Sequence, residues 1–245
     1  MFQGPGNSGG GLVSQASGLG KPRREAYIHL MSEAPPPQID SDSARRDRLV
    51  DAVANEAAFD GWTWTSIRAA ARRLELPAGE AERLFPGGPL DVLAYMSERA
   101  DQRMVEDLEA EGVINLKIRD RIRDAVRIRL ERHVGNREAA RRALALLALP
   151  FNAPLAAKLL YRTIDAMWYA AGDTSTDFNF YTKRATLAAV YSSTLLYWLN
   201  DRSPGGEATW GFLDRRIDNV MQFEKLKARA RAWRPGDRIR TAARR

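Results

Sequence analysis

From Ala44 onward the apolar positions recur at three- and four-residue steps, the spacing that lines side chains along one face of a helix. Leu49, Val53 and Ala57 form one such stripe. Ile118, Ile122, Val126 and Leu130 form a second, and Ala156, Leu160, Ile164, Met167 and Ala171 a third. Breaks rich in glycine and proline separate them, at residues 85–89, 111–112, 134–136, 150–154, 172–173 and 203–206. No segment alternates as a half-buried strand would, so the pattern predicts an all-α chain of about nine helices.

Residues 1–43 lack this pattern. They contain GPGNSGGGLVSQASGLG and APPPQIDSDS, a composition that predicts disorder. The first twenty carry no lysine or arginine and no sustained apolar core, unlike a transit peptide or a secretory signal, and Met31 is a second candidate start. GPGNSG has the spacing of a dinucleotide-binding turn but neither the strand nor the helix that such a turn requires, so it is a chance match. The remainder divides into a helix-turn-helix-like head at 44–96, a helical body at 97–222 and a basic tail at 223–245 that suits a membrane-surface helix.

Charge and chemistry narrow the picture. The net charge is +7, and nine Lys and Arg against Glu224 and Asp237 between Glu224 and Arg245 account for all of it. Without cysteine there is no disulfide, iron–sulfur cluster or thiolate zinc site. The two histidines, His29 and His133, form no metal-binding pair. No nucleophile motif or nucleotide loop occurs, so the expectation is a non-enzyme with no catalytic residues, no metal and no cofactor. No apolar run reaches the roughly 20 residues of a spanning helix. The uncharged stretch Ala185 to Asn200 contains Ser192, Ser193 and Thr194 and reads as a buried helix.

Arg45 to Tyr95 has the plan of a three-helix DNA-binding head: a first helix ending at Gly61, a second, SIRAAARRL, capped by Thr65, and a third, AGEAERLF, closing at Pro86. This order resembles the head of the TetR family of repressors. The third helix, however, offers Glu80, Glu82 and a single Arg83 where base and phosphate contacts are made, and two carboxylates oppose a polyanion. The fold is therefore expected without the DNA function. A ligand-responsive TetR-type transcriptional repressor is the alternative.

FDGWTWTSIRAAA with LFPGG after it, GDTSTDFNFYTKR before an aliphatic helix, and TWGFLDRRI are similar to the COQ9 family of ubiquinone biosynthesis proteins, over about Leu49 to Met221. The resemblance implies a TetR-like fold and an accessory lipid-binding protein. Such a protein binds a polyprenylated quinone intermediate or a phospholipid and presents the intermediate to the di-iron demethoxyubiquinone hydroxylase. It implies partner contact at Asp177, Phe180 and Tyr181, although Asp173 to Asp177 also read as an N-cap and the aromatic residues as packing. Leu155, Leu159, Met167, Trp168, Tyr191, Leu195 and Trp198 are the candidate lipid lining, or else ordinary core.

The TetR resemblance implies a homodimer through the helices of Leu195 and of Trp210, Leu213, Ile217 and Val220, although the same stripes could close a monomeric core. Phe223, Lys225, Leu226, Lys227 and Trp233 mix aromatic, aliphatic and cationic groups as an interfacial helix does, or as a solvated helix end does. The expected location is the bacterial cytoplasm, peripheral to the inner membrane. For a eukaryotic chain it is the matrix side of the mitochondrial inner membrane.

Overall fold

In the computed structural model, which describes residues 41–131, 137–173 and 178–232 and all their side chains but those of 178–179, 221 and 223–232, nine α-helices follow one another. No strand occurs among the described residues. The expectation for residues 1–43 falls almost wholly outside them, and α1 begins at Asp42.

The head comprises α1 (Asp42–Asp60), α2 (Trp64–Arg73) and α3 (Glu80–Leu84). Leu49, Val53 and Ala57 are fully buried, as their spacing predicts, against Ile67 and Ala70 of α2 and Ala81 and Leu84 of α3. The cap of α2 is Thr63, not Thr65: its hydroxyl accepts from the Ser66 amide at 3.1 Å. The earlier start makes Trp64 helical and lays its indole against Gly88, where a Cβ would come within 2.8 Å of the ring. With φ at +69°, Gly88 fills a place closed to side chains on both counts.

Six helices follow: α4 (Pro89–Ala110), α5 (Ile118–Glu131), α6 (Arg137–Leu147), α7 (Ala153–Ala170), α8 (Phe178–Asn200) and α9 (Glu207–Ala232). Met104 and Leu108, Val126 and Leu130, Ile164 and Met167, Leu187 and Trp198, and Leu213 and Ile217 interlock as one core. Of the predicted α5 stripe only Ile118, in the first turn, remains exposed. Leu213 and Ile217 are buried within this core, and Trp210 and Val220 pack on it. Asp201 ties the α8 end to the α9 start, accepting from the Ser203 amide at 2.8 Å and the Thr209 amide at 2.9 Å. Burial opposes the charge of Asp201, yet the Thr209 and Ser203 hydrogen bonds hold its carboxyl well below the usual range.

Two helices belong to both cores. α4 runs unbroken through Met96 and Ser97, placing Val92 and Leu93 in the head cluster and Met104 and Leu108 in the body cluster. α6 turns Ala139 and Ala143 toward the head while Ala140 and Leu144 pack on the body. The Trp62 indole N–H donates to the Ala139 carbonyl at 2.9 Å in a buried contact between them. No single described helix is long and apolar enough to cross a membrane. Leu130 is fully buried at the centre of the body core. Leu130→Ala is expected to destabilise the chain by about 2–5 kcal/mol, measured by urea unfolding.

Candidate functional site

α4, α5, α6, α7 and α8 enclose a cavity of about 300 Å³. Its walls are aliphatic: Leu93 and Met96 of α4, Leu144 and Leu147 of α6, Leu159 and Leu160 of α7, and Leu195 and Leu196 of α8. Leu196 is 59 % exposed, so the lining reaches the surface there. The lining also has a polar part, formed by Ser97, Arg129, Thr163, Tyr191 and Ser192.

That polar part, the cavity floor, is an organised cluster. Arg129 Nε donates to Asp101 Oδ1 at 2.7 Å, and Arg129 Nη2 to the Ser97 hydroxyl at 3.3 Å. Thr163 Oγ1 donates to the two Asp101 oxygens at 3.0 and 3.1 Å. Arg129 and Asp101 are both buried. Burial pushes the Asp101 carboxyl up, and Arg129 and Thr163 only partly draw it back. Burial also raises the Tyr191 phenol, which keeps its proton and can donate a hydrogen bond. Arg129 balances Asp101, so the cavity presents a hydrogen-bonding surface with no net charge. An apolar chain carrying uncharged oxygens at one end is complementary to it.

A second hollow, of about 460 Å³, lies on the far side of Asp101 between α4 and α7. Glu98, Glu106, Asp165 and Arg162 line it with Tyr161 and Tyr169, which makes it a poor host for hydrocarbon.

Of the residues expected to meet a lipid, Leu159, Tyr191 and Leu195 line the cavity. Met167 and Trp198 are fully buried in the core instead, and half-buried Leu155 and Trp168 lie outside the lining. The polar floor is absent from the sequence reading, which singles out neither Arg129 nor Asp101. The available signal was Arg129 lying three residues after Val126 and four after Ala125, on the buried stripe of α5.

Among the partner candidates, Tyr181 is 70 % exposed and packs edge-on against Phe180, ring centroids 5.2 Å apart. The guanidinium of Arg184 covers the Phe180 ring. Asp177 lies outside the described residues. Asp173 closes α7: its amide donates to the Trp168 carbonyl at 3.0 Å beyond left-handed Gly172, a Schellman turn. Its carboxylate accepts from Lys183 at 2.8 Å, and Arg184 holds Asp165 at 2.6 Å. Trp233 and the side chains of Phe223, Lys225, Leu226 and Lys227 lie outside the described residues, although α9 continues through them to Ala232.

In the head, every charge of α3 is paired within the protein. Arg45 donates to Glu80 at 3.0 Å, Arg68 to Glu82 at 2.8 Å, and Arg83 to Asp42 at 2.7 Å and to Glu80 at 2.8 Å. The Arg83 and Arg45 hydrogen bonds hold the Glu80 carboxyl down at about 2. The helix that reads bases in a repressor is here engaged in an internal ion-pair network.

A helix-turn-helix head on a helical body with an internal apolar cavity defines a TetR-type fold. A TetR transcriptional regulator from Nitrosomonas europaea superimposes with a TM-score of 0.61 at 24 % identity, over 73 % of this chain and 98 % of that one. The COQ9 family model matches residues 153–224, which span α7, α8 and most of α9. The human ubiquinone biosynthesis protein COQ9, mitochondrial, is 34 % identical over 238 residues, 90 % of this chain and 73 % of the relative. The Xenopus laevis COQ9-B protein is 34 % identical over 74 % of this chain and 64 % of its own length. The Drosophila melanogaster COQ9 protein is 31 % identical over 80 % of this chain and 62 % of its own length. The chain belongs to the COQ9 family of ubiquinone biosynthesis proteins.

Replacing Arg129 with Met leaves Asp101 buried without its cation, at an expected cost of about 3–5 kcal/mol. An acid whose folded pKa is raised binds protons more tightly when folded. Its stability contribution is present at low pH and lost as pH rises above the ordinary aspartate range through the raised value. The Arg129→Met deficit is therefore expected to be smaller in acid than at neutrality, and Asp101→Asn in the same chain to recover part of it, both read from urea unfolding at several pH values.

Proposed function

We propose that the chain is a non-catalytic lipid carrier of ubiquinone biosynthesis, which holds a polyprenylated quinone intermediate and presents it to the di-iron demethoxyubiquinone hydroxylase. The observation that carries this reading is the cavity with aliphatic walls and an uncharged polar floor. The quinone ring, with its carbonyl and hydroxyl oxygens, rests at Arg129 and Tyr191, and the isoprenoid chain runs between Leu159 and Leu195 toward exposed Leu196. An anionic headgroup is disfavoured because Asp101 already neutralises Arg129.

The orientation suits presentation. Tyr191 and Tyr181 are ten residues apart on α8, about 15 Å along the axis, whereas Leu196 is about 22 Å from Tyr181. The ring is thus the end nearer to Phe180 and Tyr181, the proposed contact with the hydroxylase. The protein's contribution is access and positioning, and the redox chemistry belongs to the partner. A homodimer and peripheral membrane contact through the basic end of α9 complete the proposal. The mitochondrial relatives favour a mitochondrial location over the bacterial cytoplasm, and within it we propose the matrix side of the inner membrane.

Native mass spectrometry of the chain with a short-chain ubiquinone tests the assignment. One neutral quinone per chain is expected to bind, and a fatty acid of equal length is expected not to displace it. Ala156→Trp fills the cavity between its walls and is expected to weaken quinone binding about tenfold or more while leaving the fold intact by circular dichroism. Equal binding of quinone by the filled variant would move the ligand out of this cavity.

A further inference from the structure

α6 and the segment Pro150–Ala170 meet at a bend of 93°. The residues from Ala143 to Ala157 around this bend carry no charge, with Arg141 and Arg142 just before them and Lys158 just after. At the apex Ala148, Leu149, Pro150 and Phe151 are all exposed, Phe151 at 76 %. Connections that turn in water commonly expose polar side chains. This one presents a contiguous apolar tip.

Part of the tip's hydrogen bonding is satisfied from within. Asn152 is 4 % exposed and donates its side-chain amide to the Leu146 carbonyl at 2.8 Å and its backbone amide to the Leu149 carbonyl at 2.9 Å. The Ala148 amide donates to the Leu144 carbonyl at 2.8 Å. Pro150 and Pro154 have no N–H to satisfy. Internal matching of backbone donors and acceptors is what hydrocarbon demands and water does not.

The flanks supply the charge. Arg141 and Arg142 share the single carboxylate of Glu138, and Arg141 also donates to the Leu199 carbonyl at 2.7 Å, so the pair keeps one positive charge in excess. Lys158 is exposed and makes no ion pair among the described residues. Cations beside an apolar tip match an anionic lipid surface. The cavity lining also begins on both arms of the bend, at Leu147 of α6 and at Ala156 and Leu159 of α7.

We infer that the elbow between α6 and α7 is a docking surface for a phospholipid bilayer. Leu149 and Phe151 enter the acyl boundary, and Lys158 with the Arg141–Arg142 pair meets the anionic headgroups. This surface is distinct from the basic end of α9. Its purpose, loading the cavity directly from the membrane, rests on the lipid-carrier reading.

The chain contains no cysteine, so Phe151→Cys gives a unique site for an environment-sensitive fluorophore. Tyr169→Cys, at the other end of α7, gives a second. With vesicles of equimolar phosphatidylcholine and phosphatidylglycerol, the label at 151 is expected to brighten and shift to the blue, and the label at 169 to stay unchanged. Phe151→Asp is expected to weaken vesicle co-sedimentation about tenfold while short-chain quinone binding in vesicle-free buffer is unaltered. Three results would overturn the docking surface: no co-sedimentation of the unmodified chain; co-sedimentation with a silent label at 151; or a blue shift at 151 that grows with protein concentration without vesicles, which would assign the tip to a second copy of the chain. If no variant binds quinone yet the label at 151 still responds to vesicles, the carrier reading fails and the docking surface stands.

Discussion

A buried guanidinium fixes the architecture of the body. Arg129 of α5 reaches Asp101 of α4, which in turn accepts from Thr163 of α7, and Tyr191 of α8 borders the same point. Removing an ion pair from water costs several kcal/mol unless its remaining lone pairs and protons are satisfied. α4, α5 and α7 are therefore held in the one register in which Thr163 and Ser97 complete the cluster. Aliphatic packing above it tolerates many registers; the polar cluster does not. The same constraint gives the cavity a polar wall of defined chemistry, where leucines alone would leave a featureless void.

The head illustrates a different use of charge. Its helices follow the plan of a DNA reader, yet Glu80, Glu82 and Arg83 form ion pairs with Arg45, Arg68 and Asp42. The Arg68–Glu82 and Arg83–Asp42 pairs are exposed and contribute little to stability, while Arg45–Glu80 is partly buried. Their importance lies in the surface they leave behind, which has no bidentate base reader and two carboxylates where phosphate would approach. A fold shared with transcriptional regulators thus carries a surface of different chemistry.

The helices were legible in the sequence because burial of one face imposes its own period: Leu49, Val53 and Ala57 needed no tertiary information. Ile118 broke its stripe because the first turn of α5 projects beyond the core. The cap of α2 moved from Thr65 to Thr63 because a distant turn, at Gly88, receives the Trp64 ring. The cavity was half legible. Apolar helices give no sign of which leucines face a void and which face neighbours, so Leu159 and Leu195 were indistinguishable from Met167 and Trp198. The floor was legible only in part: Arg129 falls on the buried stripe of α5, but Asp101 stands 28 residues away and nothing local announces their pairing. The GDTSTDFN segment yielded Asp173 as the clasp between α7 and α8, a role set by Lys183 and Arg184 across the turn.

The unbroken course of α4 bears on how such a molecule can be divided. Its first turns are sealed into one core by Val92 and Leu93 and its last by Met104 and Leu108, and Leu93 and Met96 between them wall the cavity. Excising the three head helices would strip the cover from that wall and from the Ala139 and Ala143 face of α6. The head therefore serves as a buttress, and what resembles a detachable module is masonry shared by two rooms.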